Sequence, residues 1–279
     1  YVDGTKGWQD IQDSTSNVSG ATFIAATGGT VLTNGDFKTH IFTGDGCFAV
    51  SSVGNPAGSD KVEYLVVAGG GPSGDANAGS AYAAGGGGAG GFRYASPTLG
   101  SPNPLNASSI PVTVATFPIA VGGGGSYPGT GSVSTFSTIT SAGGGGGARD
   151  NASSPAVIGN SGGSGGGGTG GPGDQPGGAG NTPSVSPPQG QPGGIGKSSS
   201  NTSGGGGGGA SQAGEEASTP GEAPQTGGDG GDGSFIPDTF VGPTAPSYGT
   251  PGPVGSSRFF AGGGAGGGGY SSGSGCGGT

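Results

Sequence analysis

Gly69, Gly71 and Gly74 directly follow the apolar run 62–68 in VEYLVVAGGGPSG and spell G-x-G-x-x-G. At that spacing a strand turns tightly into a helix whose N-terminus holds a pyrophosphate, and an acidic residue about 20 positions on holds the ribose. The surroundings meet neither condition. The next stretch, DANAGSAYAAGGGGAGGFRY, has no apolar stripe at helical spacing, and no Asp or Glu lies between Asp75 and Asp150. The motif therefore implies no dinucleotide and no other cofactor.

Other enzyme-like patterns fail in the same way. Gly196-Lys197-Ser198 resembles the end of a phosphate-binding loop, but Gln191 stands where its opening glycine belongs. Gly162-Gly163-Ser164-Gly165-Gly166 spells G-x-S-x-G, yet the one histidine, His40, precedes Ser164, against the hydrolase order. GGDGGDGSF (227–235) resembles a single calcium-binding nonapeptide with its apolar position displaced and nothing repeating it. Asp229 and Asp232 are thus expected in a surface turn. One His and two distant cysteines, Cys47 and Cys276, cannot supply a four-ligand zinc site without remote carboxylates. Two cysteines set no disulfide framework either, and pairing between them stays open. His40 is expected on a solvated strand face, opposite Val50. The sequons at Asn17, Asn106, Asn151 and Asn201 are what chance provides in a chain this rich in Ser and Thr. Together these patterns point away from catalysis.

The tyrosines are more informative. Tyr82, Tyr127, Tyr248 and Tyr270 lie in polar or glycine-rich loop contexts. Each is either a cover over the end of a glycine segment or an amphipathic contact of the kind that dominates recognition surfaces.

These residues need a scaffold, and the composition limits what it can be. Of 279 residues, 78 are Gly and 22 are Pro, past the level of ordinary globular domains. Only 8% are charged and the formal net charge is -9. The chain is thus neither charged enough to stay expanded nor apolar enough to fold around side chains. Glycine comes in blocks, which excludes collagen. The acidic balance and the scattered Lys and Arg argue against nucleic acid and anionic membranes. No run reaches the length of a membrane span and no signal peptide is visible. A chain that starts at Tyr1 and lacks Met reads as a piece of a longer polypeptide.

The glycines divide the chain. Residues 1–68 hold ten of the 78. Within them, FKTHIFTGDGCFAVSSV is expected to form a hairpin turning at Gly44-Asp45-Gly46, with Phe42 opposite Phe48 and Ile41 opposite Ala49. The run 62–68 adds a strand. We therefore expect a small antiparallel β unit at 20–68, preceded by a connection to an upstream domain at 1–19. Beyond it, IPVTVATFPIAV (110–121) and VSTFSTIT (133–140) alternate like strands, with Pro111 and Pro118 expected to hold the first to an edge or break it. The stretches 175–194 and 242–255 read as loops of extended, polyproline-like backbone.

Glycine blocks fall at 69–71, 85–88, 122–125, 143–147, 165–168, 204–209, 262–264 and 266–269. They often follow an apolar segment, as in YLVVAGGG, IAVGGGG and RFFAGGG, and a flexible linker has no need of that recurring entry. The spacing predicts a packed bundle of polyglycine II helices over 69–279, with long loops and essentially no α-helix. Such helices have three residues per turn and no internal hydrogen bonds, so neighbouring helices must satisfy every N–H and C=O. Only residues without Cβ allow that approach.

The succession TGGTVLTNGDFKTHIFTGDGCFAVSSVGN, VEYLVVAGGG, GGGGAGGFR, FPIAVGGGGSYPGTGSVSTFSTITSAGGGGG and FVGPTAPSYGTPGPVGSSRFFAGGG resembles the glycine-rich domains of tailed-phage virion proteins. The likeness is to tail-fibre or tail-associated proteins, marine cyanophage ones above all, and covers roughly residues 20–270. It implies layered polyglycine II helices, a place in the tail fibre or tail tip, and binding rather than catalysis. The implied partners are a host cell-surface receptor (a glycan or an outer-membrane protein) and other tail-fibre or baseplate proteins. A homotrimer upstream and a monomeric tip are equally compatible with it. The expected contact loops are 72–84, 148–160, 172–202, 213–226 and 243–256. A purely structural fibre or spacer subunit is the alternative.

Overall fold

The computed structural model describes residues 2–3, 7–8, 21–35, 37–55, 58–75, 83–97, 103–149, 158–171, 173–198, 202–218, 226–252, 256–268 and 274–279. Its described elements are short strands, one four-residue helix and one 3-10 turn, joined by long irregular segments. The chain is mostly β and irregular, as its composition requires.

The strands are Val2–Asp3 (β1), Gly7–Trp8 (β2), Ala25–Thr27 (β3), Thr30–Asn34 (β4), Phe37–Ile41 (β5) and Gly46–Ser52 (β6). Next come Lys61–Val62 (β7), Tyr64–Val67 (β8), Phe92–Ala95 (β9), Ile110–Pro111 (β10), Thr116–Ala120 (β11), Ser134–Phe136 (β12) and Ile139–Ser141 (β13). Ser234–Pro237 (β14) runs into Asp238–Val241 (α1) and the 3-10 turn Gly242–Ser247, before Thr250–Pro251 (β15) and Ser257–Phe260 (β16). A five-stranded antiparallel sheet has the order β13-β12-β11-β6-β3, so three of its strands come from beyond residue 68.

The expected hairpin across Gly44-Asp45-Gly46 does not form. β5 pairs with β4, placing His40 opposite Val31, while β6 pairs with β3 and β11. The 42–45 link instead carries the chain from one sheet to the other. Phe42 turns into the cluster of Phe48, Val50 and Val112 rather than continuing the ladder, and Asp45 Oδ1 accepts the Val121 N–H. His40 is accordingly half-buried, not solvated. Its Nδ1 lies 2.8 Å from the Gly28 carbonyl oxygen, and its ring meets Phe48 edge-on at 5.0 Å.

The 110–121 stretch does break, at residues 112–115 between β10 and β11. Pro118 nonetheless sits in a strand with neighbours on both sides. It lies opposite Cys47 of β6, and β12 covers only Ile119 and Ala120, so the missing N–H falls outside that pairing. The first six residues of the 242–255 loop are not extended but form the 3-10 turn, while Tyr248 and β15 beyond it are extended. Pro243 is pre-set for such a turn and Gly242, at φ 60, supplies the bend into it.

β8 pairs with β9 and separates two apolar clusters by its period of two. Tyr64 and Val66 face one, with Ala95, and burial raises the Tyr64 phenol above its ordinary pKa, opposed by neighbouring Arg93. Leu65 and Val67 face the other, built on Phe92, Tyr94, Leu105, Ala210, Ile236 and Val241. β8 runs through Ala68 into the first glycine block, and β9 emerges directly from the second.

The glycine segments are packed, and their hydrogen bonds repeat every third residue. In the segment 203–210, Gly204, Gly207 and Ala210 donate to the carbonyls of Gly267, Gly264 and Ala261. Gly205 and Gly208 donate to Gly168 and Gly165, and Gly206 and Gly209 to Glu215 and Gln212. The carbonyls of this segment accept from three further segments, through Gly86 and Ala89, Gly228 and Gly231, and Gly194 and Gln191. This segment is therefore surrounded on six sides by other backbones.

Such spacing leaves no room for a side chain. A Cβ on Gly207 would lie 2.0 Å from the Gly87 oxygen, one on Gly166 2.1 Å from that of Gly146, and one on Gly88 2.4 Å from that of Ser164. Each net hydrogen bond contributes about 0.5–1.5 kcal/mol against roughly 1–2 kcal/mol to order a residue. The bonds alone thus fall short of the ordering cost, and the apolar clusters at the segment ends must supply the difference.

Candidate functional site

The threefold bonding ties the segments into levels, and so gives the bundle two ends. At one, Gly91 bonds Ala142, Phe92 bonds Gln189, Gln191 bonds Gly209, and Ala210 bonds Ala261. Beside this level sits the Phe92–Tyr94–Ile236 cluster, with Phe260 and Ala261 packed on it. At the other end, Gly74 bonds Gly85, Gly85 bonds Ala148, Ala148 bonds Gly167, and Gly204 bonds Gly267. Lys197 and Ser203 pair there, as do Ser218 and Thr226.

The described ends of most expected contact loops border this second, open end: those of 72–84 and 148–160, Ser198 and Thr202 of 172–202, and Ala217, Ser218 and Thr226 of 213–226, whose residues 213–216 belong to a bundle segment. The rest of the 172–202 stretch is not a loop. Residues 175–180 and 191–197 are segments of the bundle, and the turn between them lies at the clustered end. Its Gln189 is fully buried, accepting the Ala142 N–H at 2.8 Å through Oε1 and donating Nε2–H to the Pro183 carbonyl. The 243–256 stretch lies at the clustered end too, since β16 enters the bundle there. The five loops therefore do not make one surface.

The tyrosines divide likewise. Tyr127 is near the open end, half-buried, with the Arg149 guanidinium carbon 5.7 Å from its ring centroid. Arg149 also faces Asp75 at 3.9 Å. Tyr248 sits at the opposite end against the large cluster, and Arg258 holds the carbonyls of Tyr248 and Gly249 at 2.7 Å each. Tyr82 and Tyr270 lie outside the described residues.

A second charged group at the open end was not foreseen. Lys197 Nζ lies 3.0 Å from Glu216 and 3.4 Å from Asp174, and Asp174 Oδ1 accepts the Ser198 N–H at 2.9 Å. The bond to Glu216 raises the Lys197 pKa, and the Ser198 N–H lowers that of Asp174. The Gly-Lys-Ser stretch thus does hold an anion: the carboxylate of its own chain.

The remaining sequence candidates have structural partners. Ser164 is fully buried and donates to the Gly209 carbonyl at 3.0 Å. Asp229 accepts the Cys276 N–H, and Asp232 accepts both the N–H and hydroxyl of Thr279, so both carboxylates fasten the segment 274–279. No group of His, Cys, Asp and Glu suited to a metal ion occurs among the described residues, where Cys47 and Cys276 are separate exposed thiols. Asn106 bonds the backbone of Ser96 at both ends of its amide.

Two shallow grooves lie among the described residues. One, of ≈ 250 Å³, opens at the open end between Ser73, Ala84, Ala265 and Ser274. The other, of ≈ 340 Å³, lies where Phe42 and Asp45 face Gly28 and Gly29. Among the described residues no helix is long and apolar enough to cross a membrane.

Compared with protein-family models, with curated proteins and with solved structures, the chain matches none.

Proposed function

We propose that this chain is a receptor-binding adhesin of a tailed-phage fibre, with polyglycine II helices as its scaffold and the open end of the bundle as its contact surface. The observation that carries the proposal is the three-residue repeat of bonds between segments, which brings the chain to one end of the bundle at residues 74, 148, 197 and 218, where four connections begin. The opposite end is occupied by an apolar cluster, the natural side for attachment to the rest of a fibre. A backbone lattice fixes the loop ends before any partner arrives, and preordered loops lose less entropy on binding.

At that end Tyr127, Arg149 and Asp75 present an aromatic face with charge beside it, and Lys197 with Asp174 and Glu216 present a second polar group. Such groups suit a glycan or an outer-membrane protein. With a net charge of -9, shape, hydrogen bonding and stacking govern attachment rather than attraction to anionic surfaces.

The test is competition for host cells. Purified chain is expected to bind susceptible cells and block infection, and replacing the connections after 74, 148 and 218 by short Gly-Ser links should abolish both while the fold persists. A chain that never binds, or that binds equally well with those connections replaced, is a structural spacer instead.

A further inference from the structure

The bonding around 84–91 is complete on five sides and open on the sixth. Gly85, Gly88 and Gly91 donate to 142–148, and Gly86 and Ala89 donate to 203–210. The carbonyls accept from 68–74, from 163–168, and from Gly264 and Gly267. The third donor row, the N–H groups of Ala84, Gly87 and Gly90, has no partner among the described residues, although Gly87 and Gly90 are buried. In the complete sixfold shell of 203–210 every donor row meets a neighbour. Here the missing neighbour's place lies between 68–74 and 261–268, which share no bond, and the ≈ 250 Å³ groove opens into it.

The glycines on this side are also unlike the others. Nearly every block glycine would drive a Cβ into backbone, but Gly70 and Gly124 have nothing nearer than 3.8 Å and Gly123 nothing within 4 Å. Gly267 has 3.4 Å. Packing within the chain does not require glycine at these positions. Close approach by another backbone does.

We infer that this face continues the lattice into a second copy of the chain, one glycine segment of the partner copy filling the sixth position beside 84–91. Two features select that occupant. Segments 68–74, 83–91, 122–125 and 261–268 contain no Asp, Glu, Lys or Arg, so two chains of net charge -9 meet here without facing like charges. The groove opens at the Ala84 end of this row of backbone donors, and a threefold helix without side chains has the three-residue repeat to match the row. The exposed 122–125 block, next to 68–74 through the Gly125–Gly70 bond, presents such a segment on the same face. An isologous pair therefore exchanges equivalent contacts. The inference rests on backbone bonding and the lack of charge on this face and is independent of receptor binding.

Sedimentation velocity and amide exchange on the full chain test it. The wild type should dimerise, with exchange at Ala84, Gly87 and Gly90 slowing as concentration rises. The double variant Gly70→Leu/Gly124→Leu should weaken dimerisation at least ~10-fold, with unfolding at high dilution unchanged. If the double variant fails to fold, Gly123→Leu, with nothing near its Cβ, replaces it. A wild type that stays monomeric, exchange independent of concentration, or a folded variant that dimerises normally would each overturn the inference.

Discussion

At the scale of the residue, two kinds of glycine share one letter. Gly207→Ala places a methyl 2.0 Å from the Gly87 oxygen, in a segment with no free side to move toward. Overpacking that displaces backbone should cost at least ~3 kcal/mol, and denaturant unfolding will measure it. Gly44→Ala, with nothing within 4 Å, should instead add about 0.4–1 kcal/mol by restricting the unfolded chain. The sequence marks both as glycine and cannot distinguish them, because the difference lies in segments remote along the chain. His40 was misread for a similar reason: its surroundings depend on which strand pairs with β5.

At the scale of the element, ends and turns carry what glycine cannot. Gln189 completes the bonds of Ala142 and Pro183 from a buried site, so Gln189→Leu should cost roughly 1–3 kcal/mol for each group left unpaired, again read by denaturant unfolding. The Lys197 clasp should respond to pH at both extremes. The Asp174 pKa is lowered in the fold, so its contribution is present above the ordinary carboxylate range and is lost as pH falls through the folded value. The Lys197 pKa is raised, so its contribution holds below the ordinary lysine value and is lost as pH rises past the folded one. Exchange at the Ser198 amide, corrected for its intrinsic pH dependence, should be most protected between those limits. The clasp was hidden in the sequence: the antiparallel return of 175–180 on 191–197 brings Asp174 to Lys197, and the packing of 212–217 on the same segment brings Glu216.

At the scale of the whole molecule, glycine lattice and apolar clusters stand or fall together. Ala210 and Ala261 belong to the Ile236 cluster and also to the segments 203–210 and 261–268. Ile236→Ala, at a fully buried position, should cost about 2–5 kcal/mol. The same loss should appear in global exchange protection at Gly207, although Gly207 belongs to the lattice and not to the cluster. Protection at Gly207 that survives the substitution would mean that the lattice is stable by itself.

Composition and block spacing were enough to exclude a helical fold and a conventional side-chain core for a chain of this length, since local rules govern both: helices need an apolar stripe and cores need apolar volume. They did not show the three smaller apolar clusters that the fold assembles. The same reasoning found the strand before the first glycine block, and it showed why Gly69, Gly71 and Gly74 lack the helix a pyrophosphate site requires. It could not say which backbones those glycines approach. Gly69 meets Gly123, Gly71 meets Gly145 and Gly74 meets Ala148, partners set by bonding between segments far apart in the chain. Nor could it separate the two ends of the bundle, and with them Tyr127 from Tyr248. Segments of nearly identical sequence carry no local signal of order or direction, so the threefold bonding between them decides both.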